Sequence, residues 1–303
     1  MDYELIKEKL AAKLPVQNIE TDCPMAKHTT FRCGGNAALF VIAHSIEELQ
    51  YTISVFRAFE CPWFVLGNGS NVLFTDGGYD GAVIKLGKEF AEIVYDGTEV
   101  LAGSAVMLPY LSKVSGAKAL SGLEFACGIP GSVGGAIYMN AGAYGGTIAD
   151  CIKNVIALNK DGELYEYDKD ELELYYSHSR FMDSGEIILM ARFALTPGDL
   201  NEINTVMDAN NTARKTKQPI NYPSAGSFFK RPEGAFAGAL IEQAGLKGCR
   251  IGGAEVSTLH AGFIINADNA SASDVIALCR HVQKTVEEKS GYHLEPEVRI
   301  VGR

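Results

Sequence analysis

An α+β fold with mixed sheets is expected, on three observations. Helix-period stretches are distributed among short apolar runs of strand length along the chain. Two strand-length runs joined by Asn159-Lys160-Asp161-Gly162 read as an antiparallel hairpin. Two Gly-rich stretches follow neither the helical nor the strand period and read as backbone that turns sharply.

The elements follow in order. Ser45-Ile46-Glu47-Glu48 has the form of a capping box, and Ile46, Leu49, Ile53 and Phe56 then recur at helical spacing to Phe59. Strands are expected at 62–66, 72–74 and 81–86, giving a small α/β unit that ends near Leu86. A second unit carries a strand near Val100, a helix over Leu108 to Val114, the hairpin of Val155–Leu158 with Leu164–Tyr167, and a strand over Glu186–Leu195. Thr196-Pro197-Gly198-Asp199 is the clearest boundary signal. Leu200, Ile203, Met207 and Asn211 then begin a helix that must stop before Pro219. A last helix spans 273–290, with Ser273 as cap, a stripe of Ile276, Cys279, Val282 and Val286, and Gly291 as its stop. Residues 297–301 close the chain as a strand. Alternation there would put Glu295, Glu297 and Arg299 on one face and bury Val298 and Ile300 on the other. This divides the chain into 1–86, 87–198 and 199–303.

Composition narrows the function classes. Apolar residues make up 47% and charged ones 21% of 303 residues, which suits a soluble globular protein with a sizeable core. The first ten residues are charged and amphipathic, unlike a signal peptide, and no apolar run is long enough to span a bilayer. A cytoplasmic protein without a membrane partner is expected. Seven cysteines, with no CxxC pair, argue against a zinc site or a disulfide framework, and no metal is expected; most should be buried as small hydrophobes. The formal charge of −10 argues against nucleic acid and means that an anionic ligand must be held by local features.

Two such features are present. In the stretch 121–146, eight of 26 residues are Gly and no charge follows Glu124. Leu66-Gly67-Asn68-Gly69-Ser70-Asn71-Val72 lies between two apolar runs. Successive N–H groups in loops of this kind form a concavity suited to phosphate oxygens. Gly67-Asn68-Gly69 is followed by a strand-like run rather than a helix, so it does not make a Rossmann fingerprint, and no Gly-Lys-Ser/Thr Walker loop occurs. A less usual nucleotide or flavin binder is the reading.

Five segments follow one another in order: His28-Thr29-Thr30-Phe31-Arg32-Cys33-Gly34-Gly35, the Gly67–Leu73 loop, Gly128-Ile129-Pro130-Gly131-Ser132-Val133-Gly134-Gly135 with Asn140-Ala141-Gly142-Ala143-Tyr144-Gly145, Pro223-Ser224-Ala225-Gly226-Ser227-Phe228-Phe229-Lys230-Arg231-Pro232, and Leu294-Glu295-Pro296-Glu297-Val298-Arg299. On these segments the chain resembles the UDP-N-acetylenolpyruvoylglucosamine reductase family from about His28 to Gly302. The resemblance implies a two-part FAD-binding region of the vanillyl-alcohol-oxidase/PCMH type and a C-terminal α/β substrate domain. It also implies non-covalent FAD, NADPH as co-substrate, and a UDP-sugar enolpyruvyl ether reduced to UDP-N-acetylmuramate for peptidoglycan. A monomer is expected.

The same resemblance implies roles for individual residues. Ser227 carries over as the general acid at C2 of the substrate, and Glu297 as the acidic residue that orients substrate or assists proton delivery. Gly67, Asn68, Gly69, Ser70, Asn71, Gly128, Ile129, Pro130, Gly131, Ser132, Gly134, Gly135 and Arg214 are expected at the cofactor, and Lys217, Lys230 and Tyr144 at the substrate. His28 and His260 are read as structural. One departure stands out: the family's Tyr-Arg-x-Ser carries a catalytic Arg, and Ser177 occupies that position here. Asp168 and Glu171 resemble a capping box, and a helical turn after them would bring Arg180 onto the face of Ser177 as a substitute cation. Two alternatives stay open: another FAD-dependent oxidoreductase of the same fold, and a flavin-binding protein with weakened catalysis.

Overall fold

The computed structural model describes residues 1–303. The chain forms two compact units that are not consecutive in sequence: Met1–Thr21, Leu39–Asn68 and Gly81–Ala213 in the first, and Asp22–Ala38, Gly69–Asp80 and Arg214–Arg303 in the second. The mixture of helices with parallel and antiparallel strands is the α+β class expected.

Two sheets lie largely in the first unit. One has four strands in the order Ile19–Pro24, Asn36–Ala43, Tyr79–Leu86, Trp63–Val65, the last two parallel. Helix Ile46–Ala58 is capped by Ser45, whose hydroxyl accepts from the Glu48 N–H, and it buries Leu49, Ile53 and Phe56 at i, i+4 and i+7. Those three join Ile6, Leu10, Leu39 and Val41 in one core. The other sheet is antiparallel throughout, in the order Leu164–Asp168, Ile152–Leu158, Ile187–Ala194, Glu99–Gly103, Ile93–Asp96. Its hairpin turns at the expected place. Asn159 Oδ1 accepts from the Asp161 and Glu163 N–H groups, and Gly162 takes φ +86°. Thr196–Pro197 pairs with Leu120–Ser121, so the boundary signal lies in paired backbone, and the unit runs on to Ala213. The helix Leu200–Lys217 buries Ile203 and Met207 but not Leu200, which is exposed against expectation because it is the first helical residue.

The second unit packs helices Ala237–Gln243 and Ala272–Ser290 with the antiparallel strands Arg250–Ile251, Ala254–Val256 and Ile264–Asn266. Strand Val72–Phe74 runs parallel to Arg299–Val301. Two expectations are corrected here. The long helix is capped by Ser271 in a capping box with Asp274, ahead of the Ser273 read as its cap, and its buried stripe is Val275, Leu278, Cys279, Val282 and Val286, with Ile276 at its margin. The strand begins at Arg299 rather than Glu297. Ile300 is 42% exposed, since a three-residue parallel pair gives its outer face nothing to pack on.

Ser273, read as the cap, instead meets Asp76. The Asp76 carboxylate accepts from the Ala272 N–H (2.8 Å), the Ser273 N–H (2.7 Å) and the Ser273 hydroxyl (2.5 Å). Burial works against ionisation of Asp76, but these donors outweigh it and hold the carboxyl below its usual range. Asp274, which accepts from the Ser271 and Gly253 N–H groups, is held low as well. Both groups have folded values below their unfolded ones. They therefore stabilise the second unit fully above the ordinary Asp range near ~4, and that stability is lost as pH falls through the folded values. Chemical denaturation between pH 7 and pH 2.5 should show this loss, and Asp76→Ala should flatten the pH dependence while lowering stability at pH 7. An unchanged slope in Asp76→Ala would dismiss the linkage.

Of the seven free cysteines, six are buried and Cys249 is intermediate, which matches the composition reading. Burial pushes the thiols of Cys33, Cys151 and Cys279 up to about 12, so they are unreactive at neutral pH.

Candidate functional site

Within the first unit, Gly67 and Asn68 of one Gly-rich loop meet the other. Asn68 Nδ2 donates to the Pro130 carbonyl at 2.6 Å, and a Cβ on Gly67 would lie 2.5 Å from Ser132 Oγ. Ser132 caps the helix Val133–Tyr138 by accepting from the Gly135 N–H. The loops differ in what their N–H groups do. Ile129, Gly131, Val133 and Gly134 donate to Ala126, Ile129, Val106 and Ser104 carbonyls, so most of the loop 128–135 is already satisfied by the protein. None of the four N–H groups from Gly67 to Ser70 has a protein acceptor, although Gly69 is buried and its neighbours are half-buried. Unpaired donors in sequence are costly unless something binds them, and a run of this kind suits phosphate oxygens. These residues fit the pyrophosphate of a dinucleotide such as FAD.

The glycines themselves serve protein packing. A Cβ on Gly134 would stand 2.8 Å from Ser104 Cβ. Gly69, at φ +65°, would bring a Cβ 2.3 Å from the His28 carbonyl. The sequence reading placed these positions at a ligand; the space that a Cβ would take there is filled by the protein itself. Gly134→Val is thus expected to cost about 1–3 kcal/mol by overpacking, seen as a lower melting temperature of flavin-free protein. An unchanged melting temperature with flavin lost would restore the ligand explanation.

Tyr144 and Gly145, both left-handed at φ +52° and +88°, form the tip between Gly142–Ala143 and Gly146–Thr147. The Tyr144 side chain is 48% exposed. Ser177 lies in a tight turn in which Tyr175 and His178 exchange backbone hydrogen bonds of 3.3 Å, with Ser177 at φ +51°. The capping box of Asp168 and Glu171 is present, but its helix is the single turn Lys169–Glu171 and ends before this segment. Ser177 and Arg180 therefore do not share a helical face. Arg180 has other partners. Its guanidinium lies 3.8 Å over the Tyr167 ring, donates to the Glu171 carbonyl at 3.1 Å and stands 3.5 Å from Glu186 Oε2. Tyr167 donates its hydroxyl to the other Glu186 oxygen; burial first, and then Glu186, push that hydroxyl up to about 12. The short helix that would have aimed Arg180 at Ser177 does not extend that far, and its guanidinium is engaged by Tyr167, Glu171 and Glu186 instead.

In the second unit, Thr30 joins two of the recognised segments: its N–H donates to the Gly69 carbonyl at 3.0 Å and its hydroxyl to the Ser224 carbonyl at 2.6 Å. Ser227 follows Gly226, which is left-handed at φ +77° with open space where a Cβ would be. The Phe228 carbonyl accepts from the Glu297 N–H at 2.8 Å, and the Glu295 carbonyl accepts from the Lys230 N–H at 2.8 Å. Ser227, exposed, and Glu297, half-buried, thus flank one backbone junction although 70 positions apart in order. Asn71 fixes that junction: its Nδ2 donates to the Glu297 carbonyl at 3.1 Å, and its carbonyl accepts from the Arg299 N–H at 3.0 Å. Lys230 pairs with Glu295 at 3.2 Å on the surface. Arg214 and Lys217 sit in the last turn of their helix, as expected. His260 accepts from the Gly262 N–H through Nδ1, and burial lowers its proton affinity, consistent with a structural role. His28 Nε2 lies 3.4 Å from Cys23 Sγ. Sequence reasoning gave Asn140 and Asp76 no role of their own; Asp76 bonds backbone of the helix Ala272–Ser290, far along the chain, which no local pattern reveals.

No helix is long and apolar enough to cross a membrane, and no cluster of His, Cys, Asp and Glu has the makings of a metal site.

Residues 37–168 match the family described as FAD binding domain, and residues 218–301 that described as UDP-N-acetylenolpyruvoylglucosamine reductase, C-terminal domain. The chain is 45% identical over 302 residues to the UDP-N-acetylenolpyruvoylglucosamine reductase of Alkaliphilus metalliredigens, covering 100% of this chain and 99% of the relative. It is 50% identical over 279 residues to that of Exiguobacterium sibiricum, covering 92% and 91%. The crystal structure of the reductase from Thermus caldophilus superposes with a TM-score of 0.80 at 37% identity, covering 92% of this chain and 97% of that one. Wild-type Phl p 4, a glucose dehydrogenase, shares the fold alone, with a TM-score of 0.51 at 14% identity over 70% of this chain and 50% of that one. The chain belongs to the UDP-N-acetylenolpyruvoylglucosamine reductase family.

Proposed function

We propose that this protein is an FAD-dependent oxidoreductase that uses NADPH to reduce UDP-N-acetylglucosamine enolpyruvate to UDP-N-acetylmuramate, a step of peptidoglycan synthesis. The observation that carries the reading is the match to reductases of that name along the whole chain. When bound, FAD carries the electrons from NADPH to C3 of the enolpyruvyl group.

The chain's own residues do the rest. The N–H groups of residues 67–70 and Arg214 hold phosphate, while Asn68 keeps the first loop against Pro130. Lys217, Lys230 and Tyr144 contact the UDP-sugar; Lys230 does so by exchanging its surface partner Glu295 for a phosphate. Ser227 donates its hydroxyl proton to C2 of the enolate, and Glu297, fixed beside it through Phe228 and Asn71, orients the substrate and assists that transfer. A hydroxyl is a weak acid in water, but a carbanion-like enolate is a strong base, so a positioned Ser suffices. Ser177 offers one hydrogen bond where the family uses a charge. Residues 1–86 and 87–198 act as the two parts of the flavin region and 199–303 as the substrate domain. The enzyme works as a cytoplasmic monomer.

The visible spectrum of the purified protein tests this reading. Flavin bands that bleach with NADPH and return with UDP-N-acetylglucosamine enolpyruvate are expected. Bleaching that only oxygen reverses would instead indicate a different FAD oxidoreductase, and absence of bound flavin would overturn the proposal.

A further inference from the structure

Asn is a residue that tolerates the left-handed region and carries both a donor and an acceptor on a short side chain. Asn140 uses all three properties. It lies just past the helix Val133–Tyr138 at φ +43° and is buried to 9% exposure. Its Nδ2 donates to the Tyr175 carbonyl at 2.8 Å, and its Oδ1 accepts from the Ala149 N–H at 3.0 Å. The two partners settle which end of the amide is which, since a carbonyl needs a donor and an N–H an acceptor.

Each bond closes a loop. The Tyr175 carbonyl begins the turn that carries Ser177, and the far end of that turn is tied by the Ser179 hydroxyl to the Tyr138 carbonyl at 2.7 Å. Ala149 follows the hairpin that carries Tyr144, and the neighbouring Ile148 N–H donates to the Ala141 carbonyl at 3.0 Å. Ser177 and Tyr144 are both held at positive φ, at +51° and +52°, where a Tyr or Ser stays only if its surroundings over-determine it.

We infer that Asn140 is a positioning residue for the reductase reaction: one buried amide sets the register between the turn of Ser177 and the hairpin of Tyr144. The catalytic part of this inference rests on the reductase reading. Both hydrogen bonds of the Asn140 side chain go to protein backbone, so its proposed action runs through those two turns.

Asn140→Asp separates the two bonds. Asp tolerates the same backbone and keeps an acceptor for the Ala149 N–H, but it places a carboxylate oxygen against the Tyr175 carbonyl where a donor stood. Hydrogen exchange at the Tyr175 and His178 amides should rise about tenfold or more, the worth of one hydrogen bond, with exchange over residues 142–149 unchanged. Flavin content and reduction by NADPH should stay as in the parent, while the enolpyruvyl half-reaction slows about tenfold or more. Asn140→Gly, which keeps the backbone freedom and drops both bonds, should raise exchange in both segments. It carries the test if the Asp variant does not fold. Unchanged exchange at Tyr175 and His178, or equal slowing of both half-reactions, overturns the inference. Failure of the reductase reading is distinguishable, since the parent protein would then turn over no enolpyruvyl substrate while the exchange pattern stood.

Discussion

Replacing Ser227 by Ala is expected to leave flavin reduction by NADPH nearly intact and to slow the enolpyruvyl half-reaction by roughly 10²–10⁴-fold, the usual contribution of a positioned general acid. The asymmetry follows from timing: the hydroxyl proton is needed only after hydride has reached the substrate. Ser227 is exposed, it follows the left-handed Gly226, and the Glu297 N–H donates to the neighbouring Phe228 carbonyl, which supports the proposed role. Ser227→Cys, which keeps a transferable proton, should retain much more of the second half-reaction than Ser227→Ala. Stopped-flow measurement of the two halves separates the outcomes, and equal slowing of both would refute the assignment.

The second large effect is expected at Ser177. One electrostatic donor at a developing charge is worth about 2.7–4 kcal/mol, so Ser177→Arg should raise the enolpyruvyl half-reaction by up to about 10²–10³-fold. No new backbone strain is introduced, because Ser177 already occupies φ +51°. Arg180 should behave oppositely. Its guanidinium is committed to the Tyr167 ring, the Glu171 carbonyl and Glu186, whose side chain is only 9% exposed. Arg180→Ala leaves that carboxylate buried without its cation, a change that costs about 3–5 kcal/mol in a fully buried pair. Arg180 is partly exposed, so about 2–3 kcal/mol is expected here, read as a lower melting temperature with the two half-reactions changed alike. A selective loss of the enolpyruvyl half-reaction in Arg180→Ala, with stability kept, would show that Arg180 does supply the missing charge.

Local chemistry made much of this molecule legible in the sequence. Ser45 and the spacing of Leu49, Ile53 and Phe56 specify one helix, and Asn159 to Gly162 one hairpin, because caps, periodic burial and turn residues act within a few positions of themselves. The order of five segments, each weak alone, was enough to identify the family and with it the flavin chemistry. Where an element's partner lies far along the chain, the reading went astray. Asp76, not the helix's own sequence, engages Ser273, and Ile300 is exposed because its strand pairs only with Val72–Phe74. The glycines of the loops were legible as sharp turns, but only the tertiary structure shows that Gly134 meets Ser104 and Gly69 meets His28, and that the unpaired N–H groups lie at 67–70. Arg180 and Asn140 make the same point. A side chain's role depends on which distant backbone groups and rings it reaches, and that is decided by the packing of loops whose contacts leave no periodic trace in the sequence.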